Sequence, residues 1–515
     1  MANQPIWQSD QGDGTYINPI LHLDYSDPDV IRVGGDFFMT ASSFNCTPGL
    51  PILHSKDLVN WRLVNYAVKN LGFPGYELPR HGCGIWAPSI RYHKGLFWIF
   101  VGLPDEGIFM TTAVDPFGEW SPLACVKPGK GWIDPCPFWD DDGQAYLVHA
   151  FAASRCGIKS KLMLHRMAPD GSRVLDEGAI VFDGTVNHPT LEGPKMYKRN
   201  GFYYIMAPAG GVTNGWQTVL RSRSIWGPYE DKIVLRQGST PINGPHQGGY
   251  IELESGEGWF IHFQDKGAYG RIVHLQPVHW VDGWPIMGDS GEPVLHHKKP
   301  AVGGDYPVEA IPTSDQFDQE RLGLQWQWFA NHKPEWYKLG AHGLRLFTQP
   351  LSGPLESLWG VPNILTQKFP APQFTATVKL SFAPQAASEK AGLAVTGNAY
   401  CYLSLRKGDT SWRLEKWLGS KDQEKDRLES AVEVNTNTVY LRVAVKESAV
   451  CTFSYSLDNQ HFQQLGSPFQ AVKGHWIGSK IGLFSFNPSA SLNLGYADFH
   501  WIQFEGGVAD GAGLV

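Results

Sequence analysis

Nowhere in its 515 residues does the chain run to 18 consecutive apolar residues, the length a membrane-crossing helix needs, and no membrane partner is expected. Lysine and arginine form no basic stripe, and the net charge is −7. The electrostatic footprint of a nucleic-acid binder is therefore missing. Cysteines are few and unpaired in pattern: Cys46, Cys83, Cys125, Cys136, Cys156, Cys401 and Cys451 include no C-x-x-C motif. An odd, scattered set fits neither a zinc site nor a closed disulfide framework, so reduced thiols are expected. The opening "MANQPIWQSDQGDG" has no basic segment followed by an apolar one, which leads to the expectation of a cytoplasmic protein. Nothing in the sequence sets the oligomeric state.

What the chain has is turn formers and aromatics: 57 Gly, 36 Pro and 20 Trp. Single cores stop growing near ~250–300 residues, so two domains are expected, and the composition favours an all-β fold. Repeats settle the architecture of the first. "SDPDVIRVGGDFF" (26–38) combines a proline, an apolar strand, a glycine turn and an aromatic strand. "IWAPSIRYHKGLFWIFV" (85–101), "IDPCPFWDDDGQAYLV" (133–148) and "EGPKMYKRNGFYYIM" (192–206) repeat it, and "HQGGYIELESGEGWFIHF" (246–263) is a looser copy. Each is followed by a second turn, such as "HSKDLVNWRLV" (54–64) or "RSRSIWGPYE" (221–230). Five four-stranded units of about 50–60 residues predict a five-bladed β-propeller over 16–290, with 1–15 as a lead-in.

The first strand of every propeller blade lines the central channel, so the heads of the five repeats converge at one end of the axis. Those heads are Asp27, Trp86, Asp134, Glu192 and His246. Three carboxylates in one pocket cannot all ionise cheaply, so one is held protonated and can act as a general acid. Hydrolysis of an acetal needs that acid, together with a second carboxylate that activates water or attacks the sugar, and an indole can floor the apolar face of the ring. An Asp-Pro pair taken alone is an ordinary strand start; three acidic heads among five are not. "DDDG" (140–143) reads as a solvated hairpin turn, since it lacks the ligand spacing of a calcium loop.

The ordered set "NPILHLDYSDPDVIRVGGDFFMTASSF", "HGCGIWAPSI", "WIDPCPFWDDDGQAYLV", "EGPKMYKRNGFYYIMAP" and "GPHQGG" resembles glycoside hydrolase family 43. The resemblance implies an inverting propeller hydrolase of arabinose- and xylose-containing glycans. By position, Asp27 matches the general base, Glu192 the general acid, and Asp134 the third acid that orients the general acid and tunes its pKa. Arg271 resembles the arginine that binds substrate hydroxyls, and Phe44 and Trp86 resemble the aromatic walls around the sugar. His246 resembles the axial histidine that holds a hydrated Ca²⁺ in many members, which makes it an expected metal and substrate-side residue. The loops around Cys46 and Ala153–Lys159 are expected to tune the choice between xylose and arabinose.

Beyond a Pro/Gly-containing linker at 291–318, segments such as "QKFPAPQFTATVKLSF" and "NTVYLRVAVKESAVCTFSYSLDNQHF" alternate as strands of a β-sandwich, expected over 319–506. They resemble the jelly-roll, concanavalin-A-like C-terminal domain of xylosidase-type members, which implies exo action on xylo- and arabino-oligosaccharides. The aromatic stretch 324–337 is expected to pack on the propeller. Residues 507–515 read as a disordered tail. An endo-arabinanase and a non-catalytic glycan-binding propeller stay open as alternatives.

Overall fold

The computed structural model describes residues 5–304, 306–351, 357–489 and 495–507; of the proposed tail, everything after Gly507 lies outside them. Five antiparallel sheets, each of four consecutive strands, span residues 29–68, 88–128, 132–183, 195–236 and 246–287. Their first strands, Asp29–Val33, Pro88–His93, Trp132–Trp139, Lys195–Arg199 and His246–Glu252, line the axis of a five-bladed propeller. Second strands such as Leu96–Leu103 (LFWIFVGL) and Phe202–Ala209 (FYYIMAPA) are apolar along almost their whole length. A blade's middle is covered on both faces by its neighbours, so no polar alternation is required of it. Fourth strands such as Glu230–Arg236 (EDKIVLR) reach the rim and turn polar.

The ring closes without exchanging strands between blades. Thr15–Ile17 pairs antiparallel with His296–Lys298, and Leu21 bridges Val273 in the fifth blade. Lys299 then reaches back to Asp10 and Asp57, 2.6 and 2.7 Å away. The stretch read as a linker is thus partly structure: His296–Lys298 belongs to the closure, Asp315 bridges Ile502, and Phe317 is buried in the second domain's core. A three-residue polar strand, HHK, is too short to show periodicity.

Among the described residues, the second domain is a sandwich of two eight-stranded sheets. Thr438–Lys446 (TVYLRVAVK) pairs with Phe374–Ala383 and alternates buried with less buried positions along its length. One face packs inward, as expected of an antiparallel sheet with one side covered. Trp326, Trp328 and Trp336 of the aromatic stretch enter this core. Its backbone meanwhile grips the propeller: Thr47 and Trp328 exchange two backbone hydrogen bonds, of 2.9 and 2.7 Å, and Asn45 donates to the Phe329 carbonyl at 2.7 Å. Phe44 and Cys46 sit in a shared apolar cluster with Phe329, Tyr400 and Phe484 of the sandwich. Cys46 is therefore sealed in the domain seam, and its loop is part of the packing there.

Candidate active site

A pocket at one end of the propeller axis is lined by Asp27, Phe44, Trp86, Ala87, Ile133, Asp134, Glu192, Gln247, Arg271 and Trp476, with a cavity volume of about 80 Å³. Six of the seven residues singled out from sequence line it. The seventh, His246, lies behind Glu192, with Nε2 2.9 Å from Glu192 Oε1.

The backbone at the heads explains why these side chains face the axis. Asp27 (φ 55°), Asp134 (φ 57°) and Gln247 (φ 42°) take left-handed conformations, and in the Glu192 blade Gly193 does so (φ 58°). L-residues adopt this region rarely and at a cost, and such strain clusters at functional sites. Asp134 and His246 also sit where the pairing with the second strand shifts register, between Ile133 and Cys136 and between His246 and Gly248. A bulge re-aims a side chain at a strand's end. Glycine suits position 193, since its backbone is left-handed and a Cβ would stand 2.7 Å from the Gln247 side chain.

Each acid has a distinct setting. Asp27 is buried, and Ser26 and Ser42 each donate to its Oδ2 at 2.6 Å. Arg271 Nη1 adds contacts of 3.1 and 3.3 Å. Donors on both oxygens suit an ionised, acceptor-only carboxylate. Asp134 accepts the Gly193 N–H at 2.8 Å. Burial, then the nearby Glu192 and Asp27 carboxylates, raise its pKa from the ordinary 3.8 to about 8. Like charges crowded together in a desolvated site retain a proton. Glu192 is the more accessible, its side chain 27% exposed.

Arg271 opens the strand Arg271–Val281 and donates to Ser26 Oγ at 2.7 Å. Its guanidinium lies between the Phe263 ring (4.7 Å to centroid) and the Trp476 ring (5.6 Å). Phe44 and Trp86 meet edge to face at 6.5 Å. The Trp86 indole donates to Gly82 O at 2.9 Å, which fixes its plane. At the mouth, Arg155 of the short helix Ala153–Cys156 covers Trp86 at 5.6 Å and is held by Asp105 at 3.1 Å.

Three residues escaped sequence reasoning. Trp476 comes from the sandwich, on a left-handed backbone (φ 68°), and meets Trp86 edge to face at 6.0 Å. It lies some 200 residues past the last blade, so no repeat could flag it. Gln247 follows a head residue and presents a buried side-chain amide nitrogen without a partner. Lys195 is fully buried on the fourth blade's first strand and donates to Pro88 O and Ser89 Oγ, both at 2.9 Å. Its charge favours the ionised form of Asp134, but "GPKMY" reads as an ordinary strand start.

For calcium, His246 offers Nδ1, which is buried and has no partner. Among the described residues no group of three or more His, Cys, Asp or Glu side chains could hold a metal ion. With Nε2 taken by Glu192, Nδ1 is the one His246 nitrogen left for an ion, and the six to eight oxygens that Ca²⁺ prefers would have to come from water.

Comparison with known proteins fits this geometry. The chain is 41% identical over 493 residues to a candidate β-xylosidase of Xylanibacter ruminicola, covering 92% of this chain and 86% of that one. It is 29% identical over 539 residues to a non-reducing-end α-L-arabinofuranosidase of Bacteroides ovatus, covering 98% and 96%. The crystal structure of a mutant of the GH43 protein BlXynB from Bacillus licheniformis superposes with a TM-score of 0.84 at 27% identity, covering 96% and 100%. Residues 314–505 match the β-xylosidase C-terminal concanavalin-A-like domain. Residues 16–285 match glycosyl hydrolases family 43, and it is to this family of glycosidases that the chain belongs.

Proposed function

We propose that the chain is an exo-acting glycosidase that releases terminal xylose or arabinofuranose from xylo- and arabino-oligosaccharides in a single inverting displacement. The observation that carries this reading is the pocket itself: three carboxylates in three settings, walled by Phe44 and Trp86 and closed on one side by Trp476. Walled by Phe44, Trp86 and Trp476, a cavity this small suits one terminal sugar ring better than a polymer segment running through, which disfavours an endo-arabinanase. The names carried by relatives, β-xylosidase and α-L-arabinofuranosidase, bracket the same substrates.

In this mechanism Asp27, held as a carboxylate by two hydroxyls and Arg271, takes a proton from the attacking water. Glu192, the exposed member, delivers a proton to the departing glycosidic oxygen. Beside it, burial and the neighbouring carboxylates hold a proton on Asp134. The pH–rate profile should then fall on its alkaline side above the ordinary carboxylate range, as that proton leaves. Arg271, stacked between Phe263 and Trp476, presents its remaining N–H groups to sugar hydroxyls. Water lost from the pocket strengthens each of these contacts. Calcium enters no step.

The test is a panel of aryl β-xyloside, aryl α-arabinofuranoside, xylobiose and linear arabinan, with NMR of the first-formed anomer. Monosaccharide release with inverted configuration is expected. Internal cleavage of arabinan, or sugar binding without turnover on any substrate, would overturn the reading. Chelation with and without added Ca²⁺ tests the metal separately, and unchanged activity would remove the ion.

A further inference from the structure

The Trp476 loop and the Arg271 loop meet on one side chain that lies outside the candidate active-site pocket. Asp24 is buried, two residues before the strained turn at Ser26–Asp27. Its Oδ1 accepts the backbone N–H of Arg271 at 2.8 Å, and its Oδ2 accepts the backbone N–H of Gly478 at 2.8 Å. One carboxylate thus ties a propeller loop carrying a substrate-facing guanidinium to a sandwich loop carrying a substrate-facing indole.

The surroundings leave no freedom to bypass it. Gly270, at φ 76°, has its missing Cβ position filled by the Asp24 side chain, and a Cβ on Gly478 would stand 2.7 Å from the Gly270 nitrogen. The two loops touch backbone to backbone, with glycine on each side. Tyr25 N–H donates to Arg271 O at 3.1 Å, and Ser479 N–H donates to Ala268 O at 2.7 Å, so the contact continues on both flanks. Above it, Arg271 and Trp476 stack at 5.6 Å.

We propose that Asp24 is a positioning residue that holds Trp476 over the pocket by bridging the two domains at the Arg271 and Gly478 amides. The bridge needs a group that accepts at two oxygens and donates at neither. A carboxylate meets that condition; an asparagine must turn an NH₂ toward one of the two amides and lose that bond. The proposal rests on the exo-glycosidase reading, whose own check is wild-type turnover.

The experiment compares Asp24→Asn with wild type on an aryl pentoside. A bond to a charged acceptor is worth about tenfold or more in an equilibrium, so KM should rise about tenfold while kcat stays within about threefold. Both limbs of the pH profile should stay in place, since Asp27, Asp134 and Glu192 are untouched. Hydrogen exchange should show peptides spanning 268–273 and 472–480 losing protection together, a readout independent of turnover. In a Trp476→Ala background, Asp24→Asn should add little further to KM, because coupled effects do not sum. Asn331→Ala is the control for general loosening of the seam: it removes bonds of 2.6 and 2.7 Å to the Leu71 backbone, and should lower stability while leaving KM unchanged. If Asp24→Asn unfolds, Gly478→Ala forces the loops apart without touching Asp24 and should raise KM in the same way. The proposal fails if Asp24→Asn raises KM no more than Asn331→Ala does, or if its effect adds in full to that of Trp476→Ala. Absent wild-type turnover would instead overturn the reading it rests on.

Discussion

Two strands show how differently the domains are built: "LFWIFVGL" in the second blade and "TVYLRVAVK" in the sandwich. The first is apolar without alternation because both faces are packed between blades. The second alternates because one face is core and the other meets solvent or loops. In the propeller the buried apolar residues divide among several clusters wedged between blades, whereas in the sandwich most of them join one large core, with a smaller cluster at the seam. A ring of small wedges leaves an axis that no side chain is obliged to fill with hydrocarbon. There the chain concentrates left-handed aspartates, a buried lysine and a retained proton. The sandwich has no such axis; its contribution to the site is a loop docked from outside.

If catalysis belongs to the axis and stability to the large core, variants should separate the two. The largest effect is expected from Glu192→Gln or Asp27→Asn, each losing about 10²–10⁴-fold in turnover with the melting temperature held. Wild-type hydrolysis of xylobiose by either would withdraw that residue's role. Next, Phe499→Ala in the sandwich core should cost about 3–5 kcal/mol of stability by denaturant titration, while the folded fraction keeps its kcat. A matching fall in kcat at low temperature would mean the domains are not separable in this way. Trp476→Ala should raise KM about tenfold with kcat little changed, locating the sandwich's share of the site in binding.

The smallest effect, and the sharpest, is expected from Asp134→Asn. Folded Asp134 keeps a proton that the unfolded chain loses above the ordinary 3.8, so folding takes up a proton between about pH 4 and 8. Stability therefore falls as pH rises through that window. Asparagine removes this penalty and should raise the melting temperature at pH 8 by about 2–4 °C, the effect of roughly 1 kcal/mol in a domain of this size. No change in melting temperature would mean that the axis stores no electrostatic strain.

The heads of the blades were legible because a repeat forces equivalent positions into equivalent places: once five hairpins were aligned, Asp27, Asp134 and Glu192 had to meet. Long strands were legible for the same reason, through their period. Short or single features were not. His296–Lys298 is too brief to show a pattern, and Asp24 looks like any acid in "LHLDYSDPD". Trp476 is joined to the pocket by tertiary packing alone. The loop around Cys46 puts Phe44 on the pocket and packs Cys46 under Phe329 and Tyr400; that second contact could not be read from either domain's sequence.

The position of Trp476 in the chain also sets the order in which a working enzyme comes into being. During synthesis the ring can close only after His296–Lys298 has emerged to pair with Thr15–Ile17, and at that moment all three acids are already in place. The indole that completes the pocket is translated almost 200 residues later, on the order of 10–40 s at ordinary elongation rates of about 5–20 residues per second. Throughout that interval a nascent chain would carry an assembled acid cluster under an open roof.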